Sequence, residues 1–399
     1  MRQALRFGTG RPWEDTMNLN AVVNAEDMRA LARSALPRIA FDFIDGGVMD
    51  EEGLAENRAA FRRHRLVPRY LVDVSRRDQT LEIFGHRYAS PIGISPMGIA
   101  GFFRHGADLM LARAAAEANV PYIMSSASCD SIESAMAAAP DTTWFQIYGT
   151  KDPAIVEDLV RRAAALQVRV LALTIDTPMI GGRERNIRNG FTRPMKLTPG
   201  IVLQGLMRPR WTLDFLKSGG VPMMENWKPY SEKKDANSVA DLYGSQTPAP
   251  AQTWEVLHLV RRLWKGPLLV KGVLHPEDAL ICAKAGADGI IVSNHGGRQL
   301  DTAPAPLDML KDIRNAVGDG MELIVDGGIR RGSDVLIALC LGARMCTFGR
   351  PAMFSVAGAG QAGAAKLLRL MRGEIDMMLA QIGCTSLGEL GAHRLVPAA

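Results

Sequence analysis

The chain has 399 residues, 47% hydrophobic and 22% charged, which is the balance of a soluble globular enzyme with one large or two smaller α/β domains. Its formal charge of +5 is spread over scattered Lys and Arg, with no basic run interleaved with aromatics, so nucleic acid is excluded as a partner. Cys129, Cys282, Cys340, Cys346 and Cys384 have no CxxC spacing and read as reduced thiols of a cytoplasmic protein, and the seven His lack ligand spacing, so no metal is expected.

In chain order, residues 1–18 carry no apolar core and read as a flexible lead-in, not a secretory signal, before a domain over 19–399. No apolar run reaches the roughly 18 residues that span a bilayer. Eight short apolar runs follow: 91–95 (PIGIS), 122–124 (YIM), 144–147 (WFQI), 170–175 (VLALTI), 268–270 (LLV), 289–292 (GIIV), 323–325 (LIV) and 345–348 (MCTF). Ala-rich stretches of helical period lie between them, as at 108–119 and 277–287. Strand and helix in alternation imply parallel strands, and eight units predict a closed (β/α)8 TIM barrel. The alternative, a doubly wound open sheet, is weakened because no GxGxxG follows the first strand.

The residues just past each run strengthen the barrel reading. They are Pro96, Met97 and Gly98; Ser125; Tyr148; Asp176; Lys271; Ser293 and His295; Asp326 and Gly327; Gly349 and Arg350. A barrel gathers all of them on its catalytic face. After the seventh run comes DGGIRRG (326–332) and after the eighth FGRP (348–351). These loops are the habitual phosphate site of the architecture: adjacent glycines free backbone N–H groups, and Arg330 and Arg350 add cations.

The spacing breaks between the fourth and fifth runs, where residues 178–267 exceed any ordinary loop. The insertion proper covers about 190–252. Its part at 200–220 mixes Leu, Met, Trp and Phe with Arg and Lys, and reads as a lid, a subunit contact or a surface that dips into a membrane interface. The polar part at 231–252 reads as a mobile linker.

SNHGGRQLD (293–301), LVKG (269–272), TIDTP (174–178), FQIY (145–148) and DGGIRRG (326–332) together resemble the FMN-dependent L-2-hydroxy acid oxidase/dehydrogenase family, over roughly 25–385. LVDVSRR (71–77), RPRWTLDF (208–215) and LAQIGC (379–384) are most similar to its mandelate dehydrogenase branch, in which the insertion associates with membranes. The resemblance implies that His295 is the base, oriented by Asp176, and that Arg183 and Arg298 clamp the substrate carboxylate. It places Tyr148 beside the substrate hydroxyl and Lys271 near flavin N1. It assigns Pro96, Met97, Gly98, Ser125, Gln146, Thr174 and Ser293 to the flavin ring, and Asp326, Gly327, Gly328, Arg330, Gly349 and Arg350 to the ribityl phosphate. A homotetramer is implied too, with oxygen or a quinone as acceptor and a cytoplasmic location, peripheral on the inner face of the plasma membrane if 200–220 binds lipid.

These residue types suit the reaction. An anionic substrate wants planar bidentate cations, hence Arg. A base operating near neutral pH is best a His, and a buried carboxylate steadies the imidazolium it forms. Three positions shape the substrate: Phe43, where the family usually has Tyr; Ala127, where some relatives have a large aromatic; and Ile180. With Met97 in place of the usual Thr, they predict an aryl or bulky acid, turned over better than glycolate. Non-redox isomerisation on the flavin, or a flavin-binding barrel of altered activity, are the alternative functions.

Overall fold

A computed structural model describes residues 19–191 and 197–398; the lead-in at 1–18 lies outside them. Eight parallel strands close into a barrel: β1 (Ile92–Ile94), β2 (Tyr122–Ser125), β3 (Thr143–Tyr148), β4 (Leu171–Thr174), β5 (Leu268–Val273), β6 (Gly289–Ser293), β7 (Glu322–Asp326) and β8 (Met345–Phe348). The β8 strand pairs with β1, Thr347 opposite Gly93, which completes the closure and rules out an open sheet. Each expected apolar run forms one strand.

Strand alternation separates two cores. Ile123, Trp144, Ala172, Leu269, Ile291, Ile324 and Met345 point into the barrel, while Ile92, Phe145, Leu173, Val270, Ile290 and Leu323 face the helical layer. The hairpin Leu81–Ile83/His86–Tyr88 plugs the N-terminal end, its Leu81, Ile83 and Tyr88 joining the inner core and the Tyr88 hydroxyl accepting from Trp144 Nε1 at 2.9 Å. With that end filled, the open space lies at the C-terminal rim.

The Ala-rich stretches form the helices Ala107–Ala118 and Pro276–Lys284. Short apolar faces let such helices pack closely on the sheet. The helix Ala25–Ala35, capped by Asn24, packs on Arg350–Gln381. Two further N-terminal helices, Arg38–Asp45 and Glu52–Arg62, reach the rim.

The described insertion residues hold three α-helices joined by irregular segments. Pro199–Leu206 and Pro209–Lys217 bury no residue fully. The expected linker at 231–252 instead holds the helix Ala236–Gln246, whose Asp235 side chain accepts from Ser238 N. Val239, Ala240 and Tyr243 fall on one helical face, and Trp227 beneath them is fully buried. That i, i+1, i+4 face, sparse among polar neighbours, is why the segment folds and why its composition suggests otherwise.

Candidate active site

A cavity of about 670 Å3 opens at the rim. Strand ends supply its charged floor. Lys271, the fourth residue of β5, is 3% exposed; its Nζ lies 3.5 Å from Asp326 Oδ2 and donates to Ser293 Oγ at 3.3 Å. Ser293 and Ser95 donate to the two oxygens of Asp326, at 2.8 and 2.6 Å. Five barrel strands are thereby tied together through one carboxylate or its neighbours, since Asp176 past β4 faces the same cation. The bulge between Lys271 and Val273 puts Gly272 at φ +100°, where a Cβ would meet the Asp176 side chain at 2.5 Å, so only glycine lets that carboxylate approach.

His295 Nδ1 lies 2.9 Å from Asp176 Oδ1. Burial lowers the His295 pKa against the pull of Asp176, with Lys271 and Arg183 adding to the lowering. Burial pushes Asp176 up, but His295 and Lys271 outweigh it and hold it below the usual carboxylate range. The pair therefore rests as a neutral imidazole against a carboxylate, with Nδ1–H donating and Nε2 left as the basic nitrogen.

The SNHGGRQLD loop is held rigidly. His295, Gly296 and Gly297 are all left-handed, at φ +59°, +68° and +70°. A Cβ on Gly297 would meet Leu54 N at 2.6 Å. The loop docks on Glu52–Arg62: Asn294 and Asn57 exchange amide hydrogen bonds at 2.7 and 2.8 Å, and Asp301 accepts from Asp50 N and Gly53 N at 3.1 and 3.0 Å. Gln299 Nε2 donates to Asp176 O and Met179 O, fixing the far side. Asn57, Asn294, Gln299 and Asp301 were not singled out in the sequence. Three of them stand inside or beside the quoted motif, whereas nothing local marks Asn57.

Arg298 and Arg183 both face the cavity, with guanidinium carbons 5.0 and 5.7 Å from the Phe43 ring centre. Arg298 Nη1 donates to Phe43 O and Gly46 O, while Arg183 Nε is buried without a partner among the described residues. Burial lowers the pKa of each, and in Arg298 the neighbouring Arg183 and Arg350 lower it further. Two desolvated cations side by side, with no carboxylate between them, make an anion site. Tyr148 and Ala127 also line the cavity; burial raises the Tyr148 pKa, so its hydroxyl stays protonated.

The remaining lining suits a phosphate-bearing flavin. Arg330 and Arg350 are half-buried; desolvation with Arg58 pushes Arg330 down to about 10, while desolvation with Arg330 pushes Arg350 down to about 9. A dianion beside them would offset both costs. Gly327, Gly328 and Gly349 line this end, Pro96, Met97 and Gly98 the adjoining wall. Behind them Ser125 donates to Gln146 Oε1 at 2.8 Å, and Gln146 Nε2 and Thr174 Oγ1 are buried with no partner among the described residues, as groups awaiting a polar ring edge would be. Ile180 lies apart. It is 69% exposed and outside the cavity lining, because Gly181 packs on Val48 and the Arg298 and Gln299 carbonyls and turns residue 180 outward.

Residues 32–397 match the family model of the FMN-dependent dehydrogenases. The chain is 40% identical over 372 residues to (S)-mandelate dehydrogenase of Pseudomonas putida, covering 93% of each. It is 37% identical to L-lactate dehydrogenase of Caulobacter vibrioides, over 91% of this chain and 94% of the relative. A crystal structure of monotopic membrane protein (S)-mandelate dehydrogenase superposes with a TM-score of 0.90 at 38% identity, over 95% of this chain and 100% of that one. The chain belongs to the FMN-dependent dehydrogenase family and is a (β/α)8-barrel FMN enzyme of the 2-hydroxy acid dehydrogenase/oxidase class.

Proposed function

We propose that this enzyme oxidises an L-2-hydroxy acid with an aryl or similarly bulky side chain to the 2-oxo acid. The observation that carries this reading is the meeting, in one cavity, of the His295–Asp176 pair with the unneutralised Arg183 and Arg298. The two guanidiniums bind the carboxylate and set the α-carbon over the imidazole. His295 Nε2 accepts the one proton the substrate gives up as its C–OH becomes C=O, and Asp176 stabilises the imidazolium. Tyr148 steadies the substrate oxygen by hydrogen bonding. Bound FMN supplies the two-electron acceptor for the hydrogen leaving carbon. Lys271, buried and cationic, would stabilise the negative charge that bound FMN gains on reduction. Pro96, Met97, Gly98, Ser125, Gln146, Thr174 and Ser293 would hold the ring, and Asp326, Gly327, Gly328, Arg330, Gly349 and Arg350 the ribityl phosphate.

The side-chain pocket favours apolar bulk. Phe43 packs on Phe103 and Phe191 with ring centres 5.8 and 4.7 Å away, and Ala127 leaves its side of the cavity open. Measured with a soluble dye as acceptor, kcat/KM for (S)-mandelate should exceed that for glycolate by about a hundredfold or more, from a few kcal/mol of added apolar burial. Glycolate as the better substrate would contradict the assignment.

The acceptor reading follows from the insertion. Leu203, Leu206, Met207, Leu213 and Leu216 are more than half exposed on two short helices and the turn between them, a segment that also carries Arg208, Arg210 and Lys217. No helix among the described residues is long and apolar enough to cross a membrane. The pattern supports peripheral insertion into one leaflet, with a membrane quinone taking the electrons.

A further inference from the structure

Asn237, Asp241 and Tyr243 are polar residues of the cavity wall with no part in the chemistry above, and Tyr243 is the one that also meets Tyr148. Tyr243 comes from the insertion helix Ala236–Gln246. Its ring stands edge-on to Tyr148 at 6.5 Å and to Trp227 at 4.9 Å. The helix is bolted to the barrel just beyond Tyr148: Gln246 accepts from Asp152 N through its side chain at 2.9 Å and from Lys151 N through its carbonyl at 3.2 Å. The two tyrosines therefore hold a fixed relation.

Tyr243 and Arg183 are close enough to influence each other's titration. Burial and Tyr148 push the phenol up against the pull of Arg183, so it remains a hydrogen donor throughout the neutral range. The ring beside the two guanidiniums offers no such donor. Phe43 sits under both guanidiniums with a bare ring, and Arg298 Nη1 is committed to two backbone carbonyls. An anion lying on Arg183 and Arg298 thus meets a bare Phe43 ring, while the Tyr243 phenol lines the same cavity.

We propose that Tyr243 is a substrate-binding residue: its hydroxyl donates to the carboxylate held by Arg183, so the insertion completes the anion site as well as covering it. The inference rests on the reading of Arg183 and Arg298 as the carboxylate clamp. A hydrogen bond to a charged group is lost in Tyr243→Phe while the ring contacts with Tyr148 and Trp227 stay.

The test uses FMN-loaded enzyme and phenylacetate, an aryl acid with no hydroxyl to oxidise, titrated by the change it causes in flavin absorbance. Tyr243→Phe should weaken binding by about tenfold or more, and raise KM for (S)-mandelate by a similar factor. Tyr243→Ala should lose at least as much. Wild-type affinity in Tyr243→Phe would overturn the proposal; if Tyr243→Ala alone were weakened, the ring merely closes the cavity. Because phenylacetate binding needs no turnover, the two readings fail separately. A wild-type flavin that no 2-hydroxy acid reduces would defeat the oxidation reading, while the ratio of phenylacetate affinities would still decide the role of Tyr243.

Discussion

The rim of the barrel and the insertion both line one cavity, by different means. On the rim, Lys271, Ser293, Asp326 and Ser95 sit at strand ends, where β-register fixes their separations, and they satisfy one another. On the insertion side the contacts are rings: Phe102 meets Phe103, Phe191, Trp211 and Phe215 at 5.5 to 5.8 Å, a chain of aromatics leading from beside Phe43 out to the exposed helix Pro209–Lys217. Charge that must be placed within fractions of an ångström is carried by the rigid sheet. Shape, which tolerates repacking, is carried by an added segment.

The sharpest way to break that division is at the rim. His295→Gln keeps a polar group of similar reach but removes the base, and should slow flavin reduction by about 10²- to 10⁴-fold with FMN still bound. In the wild type, the base form of His295 is required and its pKa lies below the ordinary histidine value. The kcat/KM profile should therefore be flat at neutral pH and fall only as pH drops through that lowered value; in His295→Gln this acid limb should vanish. A wild-type limb at or above pH 6.5 would show that Asp176 outweighs burial.

Next in size is the support beneath the loop. Asp301→Ala leaves the N–H groups of Asp50 and Gly53 without their acceptor, at a cost of about 2 kcal/mol or more in unfolding free energy, read by denaturant titration. Unchanged stability would mean that water replaces the carboxylate. The smallest effect on chemistry should come from the insertion surface. Combined Leu206→Ser, Leu213→Ser and Leu216→Ser should release the protein from membrane fractions while activity with a soluble dye stays within about twofold, since these side chains face solvent. Retention on membranes would send the search for the lipid contact elsewhere.

The same division explains what the sequence reveals. All eight strands were legible because apolar runs bounded by turn residues have little other use, and the residues just beyond them inherit their positions from the barrel. Asn57 and Tyr243 were not legible: each reaches the site from a distant segment, and nothing near either in the chain signals a partner in three dimensions. The helix Ala236–Gln246 was masked by its polar surface, which the buried Val239 and Ala240 and the half-buried Tyr243 barely interrupt. Ile180 shows the converse, since proximity to a motif did not survive the turn at Gly181.

The central claim is that the His295–Asp176 pair and the two arginines act together on a 2-hydroxy acid. Anaerobic stopped-flow mixing of the FMN enzyme with (S)-mandelate tests it most directly. The account predicts complete bleaching of the oxidised flavin in a single turnover, slower when the α-hydrogen is deuterium. A flavin that keeps its oxidised spectrum with mandelate and every other 2-hydroxy acid would contradict it.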